Sequence, residues 1–276
     1  LREGAAFIFM GSATGPAMTP SVILDSNQTD SGFGCSVASA GDVNGDGFSD
    51  VVVGAVNYDN GQSDEGAAFL YHGSASGLVT APAWIGESDV PDSKYGISAA
   101  SAGDVNGDGF SDVVVGASNY ANGQYSEGAV FLYHGSASGL SATASGVIES
   151  GWAYSFFGRS VSSAGDVNGD GFSDVIVGQP SYGNGEAEEG AAYLFLGSAT
   201  GLASTASWME ESDYPYAFFG HAVSSAGDVN GDGYSDVVVG ARGYEANRGR
   251  AYLFEGGPGG LDRKSTRLNS SHVSQS

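Results

Sequence analysis

The sequence predicts an all-β protein, a β-propeller of four-stranded blades. Three observations carry that reading. The chain repeats itself every 62 residues, its apolar runs are β-branched or aromatic and end in Gly, Asn and Ser clusters, and no stretch of ten residues shows helical periodicity. The nine residues DVNGDGFSD at 42–50 return at 104–112, at 166–174 and, with Tyr for Phe, at 228–236. An aromatic-Gly step recurs as Phe33-Gly34, Tyr95-Gly96, Phe157-Gly158 and Phe219-Gly220. The module EGAAFIF at 3–9 comes back as EGAAFLY, EGAVFLY, EGAAYLF and RGRAYLF, which makes five copies against four of the Asp-rich loop.

The elements follow in order. Residues 1–30 hold a partial blade, a third and a fourth strand without a first or second. Each full period then opens on a short run of small residues, such as SVSSAG at 160–165, able to pack where space is tight. VIVG at 175–178 is continuously apolar, as in a strand covered on both faces. AAYLFLG at 191–197 is a third strand, and the segment around Trp208 a fourth. Four strands per period suit a propeller blade, whereas solenoid rungs run to roughly 20–30 residues. The last period supplies a first, second and third strand before the repeats end at 261. Closing a ring by pairing the two ends would leave one strand too many, so four full repeats plus partial units read as an excerpt of a larger propeller. The segment 262–276, DRKSTRLNSSHVSQS, abandons the composition of the repeats. It reads as disordered or as read-through of cloning DNA.

The loop carries the chemistry. In its first copy, side-chain oxygens fall at positions 1, 3 and 5 (Asp42, Asn44, Asp46), with Asp50 at 9 and the carbonyl of Phe48 at 7. Gly47 at position 6 permits a sharp bend. Hard oxygens at alternate residues of a tight turn suit Ca²⁺, and no His or thiolate favours zinc or copper. The other copies offer Asp104, Asn106, Asp108, Phe110 and Asp112; Asp166, Asn168, Asp170, Phe172 and Asp174; and Asp228, Asn230, Asp232, Tyr234 and Asp236. About four Ca²⁺ are expected. An EF-hand is excluded, because Val53 stands at position 12 and a strand follows. The competing reading is a plain hairpin turn, which explains Gly45 and Gly47 but not the acids. Three crowded carboxylates would repel one another, so replacing Asp46 by Ala should leave the metal-free protein no less stable.

The string FG…AGDVNGDGFSDVVVGA resembles the FG-GAP repeat of integrin α-subunit propellers and of many bacterial surface proteins. Gly178-Gln179-Pro180 comes nearest to the literal GAP; the other copies read GA followed by Val, Ser or Arg. The resemblance covers roughly residues 3–261. It implies a propeller of about seven blades with Ca²⁺ held between the first two strands of a blade, at the five positions just named in each copy. Nothing matches an inserted integrin ligand-binding domain.

Charge narrows the partners. Acidic side chains number 32 against 9 basic, a formal charge of −23, which repels phosphate backbones and excludes nucleic acid. No apolar run approaches the length of a membrane span. Cys35 is the only cysteine, so no internal disulfide forms. His72 and His134 read as strand-end surface residues, since Met10 and Leu196 fill that position elsewhere, and His221 occupies a freely varied one. Tyr58, Tyr120, Tyr182 and Tyr244 recur and read as packing. Trp152, Tyr154, Tyr214 and Tyr216 lie in connections that do not repeat, and offer an aromatic face for a sugar or a protein. The expectation is a non-enzymatic, extracellular Ca²⁺-binding propeller for adhesion, with a protein or carbohydrate ligand at its blade loops. The alternative is an accessory or catalytic propeller of a secreted polysaccharide lyase or hydrolase, which should show one unique acid-base cluster in one blade.

Overall fold

The structure, a computed structural model, describes residues 4–262 and 266–267. Four antiparallel sheets of four strands follow one another along the chain, each a simple up-and-down meander. The first blade comprises Phe33–Gly41, Asp50–Ala55, Ala67–Tyr71 and Trp84–Glu87. The second comprises Tyr95–Gly103, Asp112–Ala117, Ala129–Tyr133 and Gly146–Glu149. Ser160–Gly165, Asp174–Gln179, Ala191–Phe195 and Trp208–Glu211 form the third. Phe219–Gly227, Asp236–Ala241, Arg250–Phe254 and Thr266–Arg267 form the fourth.

Residues 4–30 form the expected partial unit: Ala6–Ile8 pairs antiparallel with Val22–Leu24. Between them, Gly11–Ser12 and Gly15–Pro16 make a minor hairpin. The only helical turn among the described residues, Tyr244–Asn247, is left-handed at Glu245, Ala246 and Asn247. It replaces the longer loop that joins the second and third strands of the other blades.

The apolar strings settle where they can be covered on both faces. Second strands such as Asp112–Ala117 and third strands such as Ala129–Tyr133 are buried at every residue. First strands are half-exposed and pack side by side from blade to blade, which places their small residues on the inner edge of the array. Gly54, Gly116 and Gly178 allow this stacking. A Cβ on any of them would strike the carbonyl of Gly96, Gly158 or Gly220 in the next blade. The aromatic-Gly step is therefore a docking point, and single parallel bridges (Gly66 to Tyr95, Gly128 to Phe157, Gly190 to Phe219) stitch each blade to its successor there. Tyr58 and Tyr120 pack edge-on against Phe69 and Phe131, as their recurrence suggests.

Fourth-strand tryptophans clasp the next blade. Trp84 lies 4.7 Å from Tyr133 and donates its indole N–H to the Ser141 carbonyl. Trp208 does the same with Phe254 and the Asp262 carbonyl. Leu261 is buried in that core, so the packed chain extends through Asp262. Thr266–Arg267 pairs with Tyr252 and Leu253 as a short fourth strand, a position the sequence reading had left empty. The rest of 263–276, expected to be disordered or artefactual, lies outside the described residues.

Candidate metal centre

An antiparallel meander puts the loops joining strands one to two and three to four at one end of each blade. The loops joining two to three, and one blade to the next, lie at the other end. The four Asp-rich loops therefore share a face. They are also linked in series: Ser111, Ser173 and Ser235 donate their amide N–H to the carbonyls of Asp42, Asp104 and Asp166 in the preceding blade, each at 2.9 Å.

All four loops have the same internal architecture. In the first, Gly45 and Asp46 donate their N–H groups to Asp42 Oδ1, and Gly47 donates to Asp42 Oδ2. Asn44 Oδ1 accepts from the Asp46 N–H, Asp46 Oδ1 from the Phe48 N–H, and Asn44 Nδ2 donates to Asp46 Oδ2. Gly45 and Gly47 stand at φ +73° and +89°, a backbone that lets consecutive N–H groups turn onto one carboxylate. The motif recurs around Asp104, Asp166 and Asp228. At Asp228 these N–H donors, Gly233 first, hold the carboxyl below the usual carboxylate range.

Position 9 behaves differently. Asp50, Asp112, Asp174 and Asp236 are completely buried. Asp50 accepts from Val43 and Gly73, each at 2.9 Å, and so ties the loop to the end of the third strand. Asp112 accepts in the same way from Val105 and Gly135, Asp174 from Val167 and Gly197, and Asp236 from Val229 and Gly256. Burial pushes Asp112 up to about 6, against the pull of its two N–H donors and His134. Asp174 is likewise pushed up to about 6 by burial, with Val167 and Gly197 opposing. His72 Nδ1 lies 3.2 Å from Asp50 Oδ1, so the strand-end histidines sit beside the loops, a placement their variable repeat position did not signal.

Position 7 has a second task. The Phe110 ring covers Gly45 of the preceding blade, as Phe172 covers Gly107 and Tyr234 covers Gly169. These side chains are inter-blade wedges, and any metal ligation at Phe48, Phe110, Phe172 or Tyr234 falls to the carbonyl.

The donor set fits a hard cation: two carboxylates and an amide on residues that are at least partly exposed, and a buried carboxylate beneath. The loops do not pull three carboxylates together on their own. Among the described residues, the trio that converges within 4.8 Å is Glu189, Glu211 and Asp213, at the opposite end of the third blade. Crowding at Asp42, Asp46 and Asp50 is relieved because the first two turn to the loop's own N–H groups and the third turns inward.

The Glu189 trio reflects a second repeated device that the sequence reading missed. Glu65 Oε1 accepts the N–H groups of Asn60 and Gln62 and closes the loop between strands two and three. Glu127 closes its loop on Asn122 and Gln124, and Glu189 bonds Asn184. The module's leading Glu, at 65, 127 and 189, was the available signal; Arg248 replaces it in the fourth blade, where the loop is the left-handed turn. On this same end Trp152, Tyr154, Tyr214 and Tyr216 are 40–61% exposed.

The FG-GAP repeat matches this chain at residues 33–71, 96–133, 157–195 and 219–254, more than half its length. Integrin alpha-7 of Homo sapiens is 37% identical over 180 residues, covering 63% of this chain and 14% of the relative. Integrin alpha-PS5 of Drosophila melanogaster is 37% identical over 168 residues, covering 57% and 15%. Integrin alpha-5 of Xenopus laevis is 32% identical over 240 residues, covering 83% and 22%. The chain thus spans less than a quarter of the length of these relatives. No helix among the described residues is long and apolar enough to cross a membrane.

Proposed function

The chain belongs to the FG-GAP repeat family, and from that premise we propose that it is a Ca²⁺-stabilised, extracellular propeller module that binds a ligand in adhesion. One observation carries the metal half. Every loop presents partly or fully exposed residues with side-chain oxygens at positions 1, 3 and 5 above a buried position-9 carboxylate that anchors the strand ends. Asp42, Asn44, Asp46, the Phe48 carbonyl and Asp50, with their counterparts in the other copies, would hold the ion. It would neutralise the carboxylates and lock each loop in the conformation that bonds its neighbour through the Ser N–H to Asp carbonyl link. Sites of this open kind bind at about 10⁻⁴–10⁻³ M, which suits Ca²⁺ concentrations outside cells.

The ligand half rests on the opposite face, where the connections between blades vary and aromatic side chains are exposed. A non-enzymatic role is favoured because the one convergent carboxylate trio among the described residues is built on the loop-closing Glu that three blades share, and is not a unique acid-base cluster. Thermal melting with and without a chelator tests the metal half. At free Ca²⁺ tenfold above the dissociation constant, four sites contribute roughly 5–6 kcal/mol, comparable to a domain's whole margin of about 5–15. Chelation should therefore lower the melting temperature strongly, and an unchanged melt would remove the metal from the account.

A further inference from the structure

Among the described residues, five Lys and Arg side chains can be followed. Lys94 lies 3.6 Å from Asp64, and Arg248 and Arg250 lie 3.7 and 3.5 Å from Glu245. Arg159 and Arg242 have no described carboxylate oxygen within 4.0 Å, in a chain with 32 acidic residues to choose from. Both line one open cavity of about 450 Å³ where loops of the second, third and fourth blades meet, with His221 beside them. Two guanidiniums sharing a hollow repel each other, and among the described residues no carboxylate pairs with them there; Glu188 lines the cavity without reaching either.

The surroundings narrow what anion fits. The Arg242 guanidinium carbon lies 4.6 Å from the centre of the Phe218 ring, which holds the charged group over an aromatic face. Planar guanidinium forks match a carboxylate in two parallel hydrogen bonds. Ser118, Asn119 and Ser181 in the same wall can exchange hydrogen bonds with hydroxyl groups. Phe156 and Phe218 supply apolar surface and hold left-handed backbone (φ 57° and 52°), where the corresponding residue of the first blade is Gly32. Tyr154 and Tyr216, two residues upstream in the same connections, are 61% and 57% exposed. Burial, with Arg242 and Arg159 adding to it, pushes the His221 imidazole below its ordinary range, which leaves it a neutral partner for hydroxyls.

We propose that the cavity lined by Arg159, Arg242 and His221 binds the carboxylate of an acidic sugar, a hexuronate unit of a polysaccharide. Guanidiniums take the carboxylate, Ser and Asn take ring hydroxyls, and the aromatic side chains cover the sugar faces. The surrounding charge of −23 disfavours long polyanions and leaves short uronate segments as the acceptable anion. An acidic protein segment offers the carboxylate without the hydroxyls, and is the less complete match.

This inference rests on the ligand-binding half of the proposed function and not on its calcium half. The test uses the full chain in saturating Ca²⁺, with folding checked by melting. Calorimetry compares trigalacturonate, neutral galactotriose and a hexa-aspartate peptide. Trigalacturonate alone should bind, and Arg242→Gln or Arg159→Gln should weaken it at least tenfold while Lys94→Gln leaves it unchanged. Equal binding of the neutral sugar, preferred binding of the peptide, no binding of trigalacturonate, or indifference to both Arg substitutions overturns it. If the uronate fails while chelation still lowers the melt, only the ligand assignment falls. If Arg-dependent uronate binding survives while chelation has no effect, the calcium reading falls alone.

Discussion

Replacing Asp108 by Ala should weaken the protein chiefly when Ca²⁺ is bound. Asp108 sits at position 5 of the second loop, exposed, accepting the Phe110 N–H at 3.0 Å and Asn106 Nδ2 at 2.9 Å. Solvent-accessible hydrogen bonds of this kind contribute about 0.5–1 kcal/mol in total. Loss of one Ca²⁺ site at tenfold saturation adds about 1.4 kcal/mol. The expected cost is thus under about 1 kcal/mol in chelator and roughly 2–2.5 with Ca²⁺. At about 2–4 °C per kcal/mol for a chain of this size, the two losses are ~1–4 °C and ~4–10 °C. Repulsion between crowded carboxylates, which by sequence alone should make the chelated variant no less stable, is offset by the loop amides that bond the carboxylates, although Asp108 still adds a smaller push to Asp112. Asp112→Ala is the contrast. It leaves the buried N–H groups of Val105 and Gly135 without acceptors, at about 1–3 kcal/mol each, whether or not metal is present. Circular dichroism melts of both variants, with 10 mM Ca²⁺ or with chelator, separate the two roles. Equal losses for Asp108→Ala in the two conditions would refute position 5 as a ligand.

Two further outcomes follow from the structure. Asp112 and Asp174 stand at about 6 in the folded chain and near 3.9 when unfolded, so between those values the folded state holds more protons. The chelated protein should melt higher at pH 5 than at pH 7.5, by about 1.4 kcal/mol per group since one unit of the shift falls in that interval, and Asp112→Asn with Asp174→Asn should flatten the rise. Asp228, held low by the loop amides, acts oppositely but only below that window. Truncation after Asp262 should cost at most a degree or two, whereas truncation after Gly260 removes buried Leu261 and the Trp208 acceptor. The second cut should cost about 3–4 kcal/mol by differential scanning calorimetry, and equal melts would show that Leu261 and Asp262 do not dock.

Strands were legible because their chemistry is local. Val113, Val114 and Val115 can only be covered in a sandwiched strand, and the period set their number. What escaped was the work done between blades. Gly54 reads as the end of an apolar run, yet its missing side chain admits the Gly96 carbonyl of the next blade. Phe110 reads as a ligand position, and its ring turns out to brace Gly45, 65 residues upstream. Asp50 carries the residue type expected of a ligand but also bonds two buried N–H groups, a role invisible without the Gly73 turn beside it. Arg159 and Arg242 lie 83 positions apart at two different, freely varied positions of the repeat, so only folding brings them to one cavity.

The most direct test of the central claim is calorimetric titration of the fully chelated, folded chain with Ca²⁺. The account predicts about four sites near 10⁻⁴–10⁻³ M, with Mg²⁺ a poor substitute because it dehydrates reluctantly, and one site fewer in Asp108→Ala. Fewer than two sites in a folded sample, or an unchanged count in that variant, would contradict it.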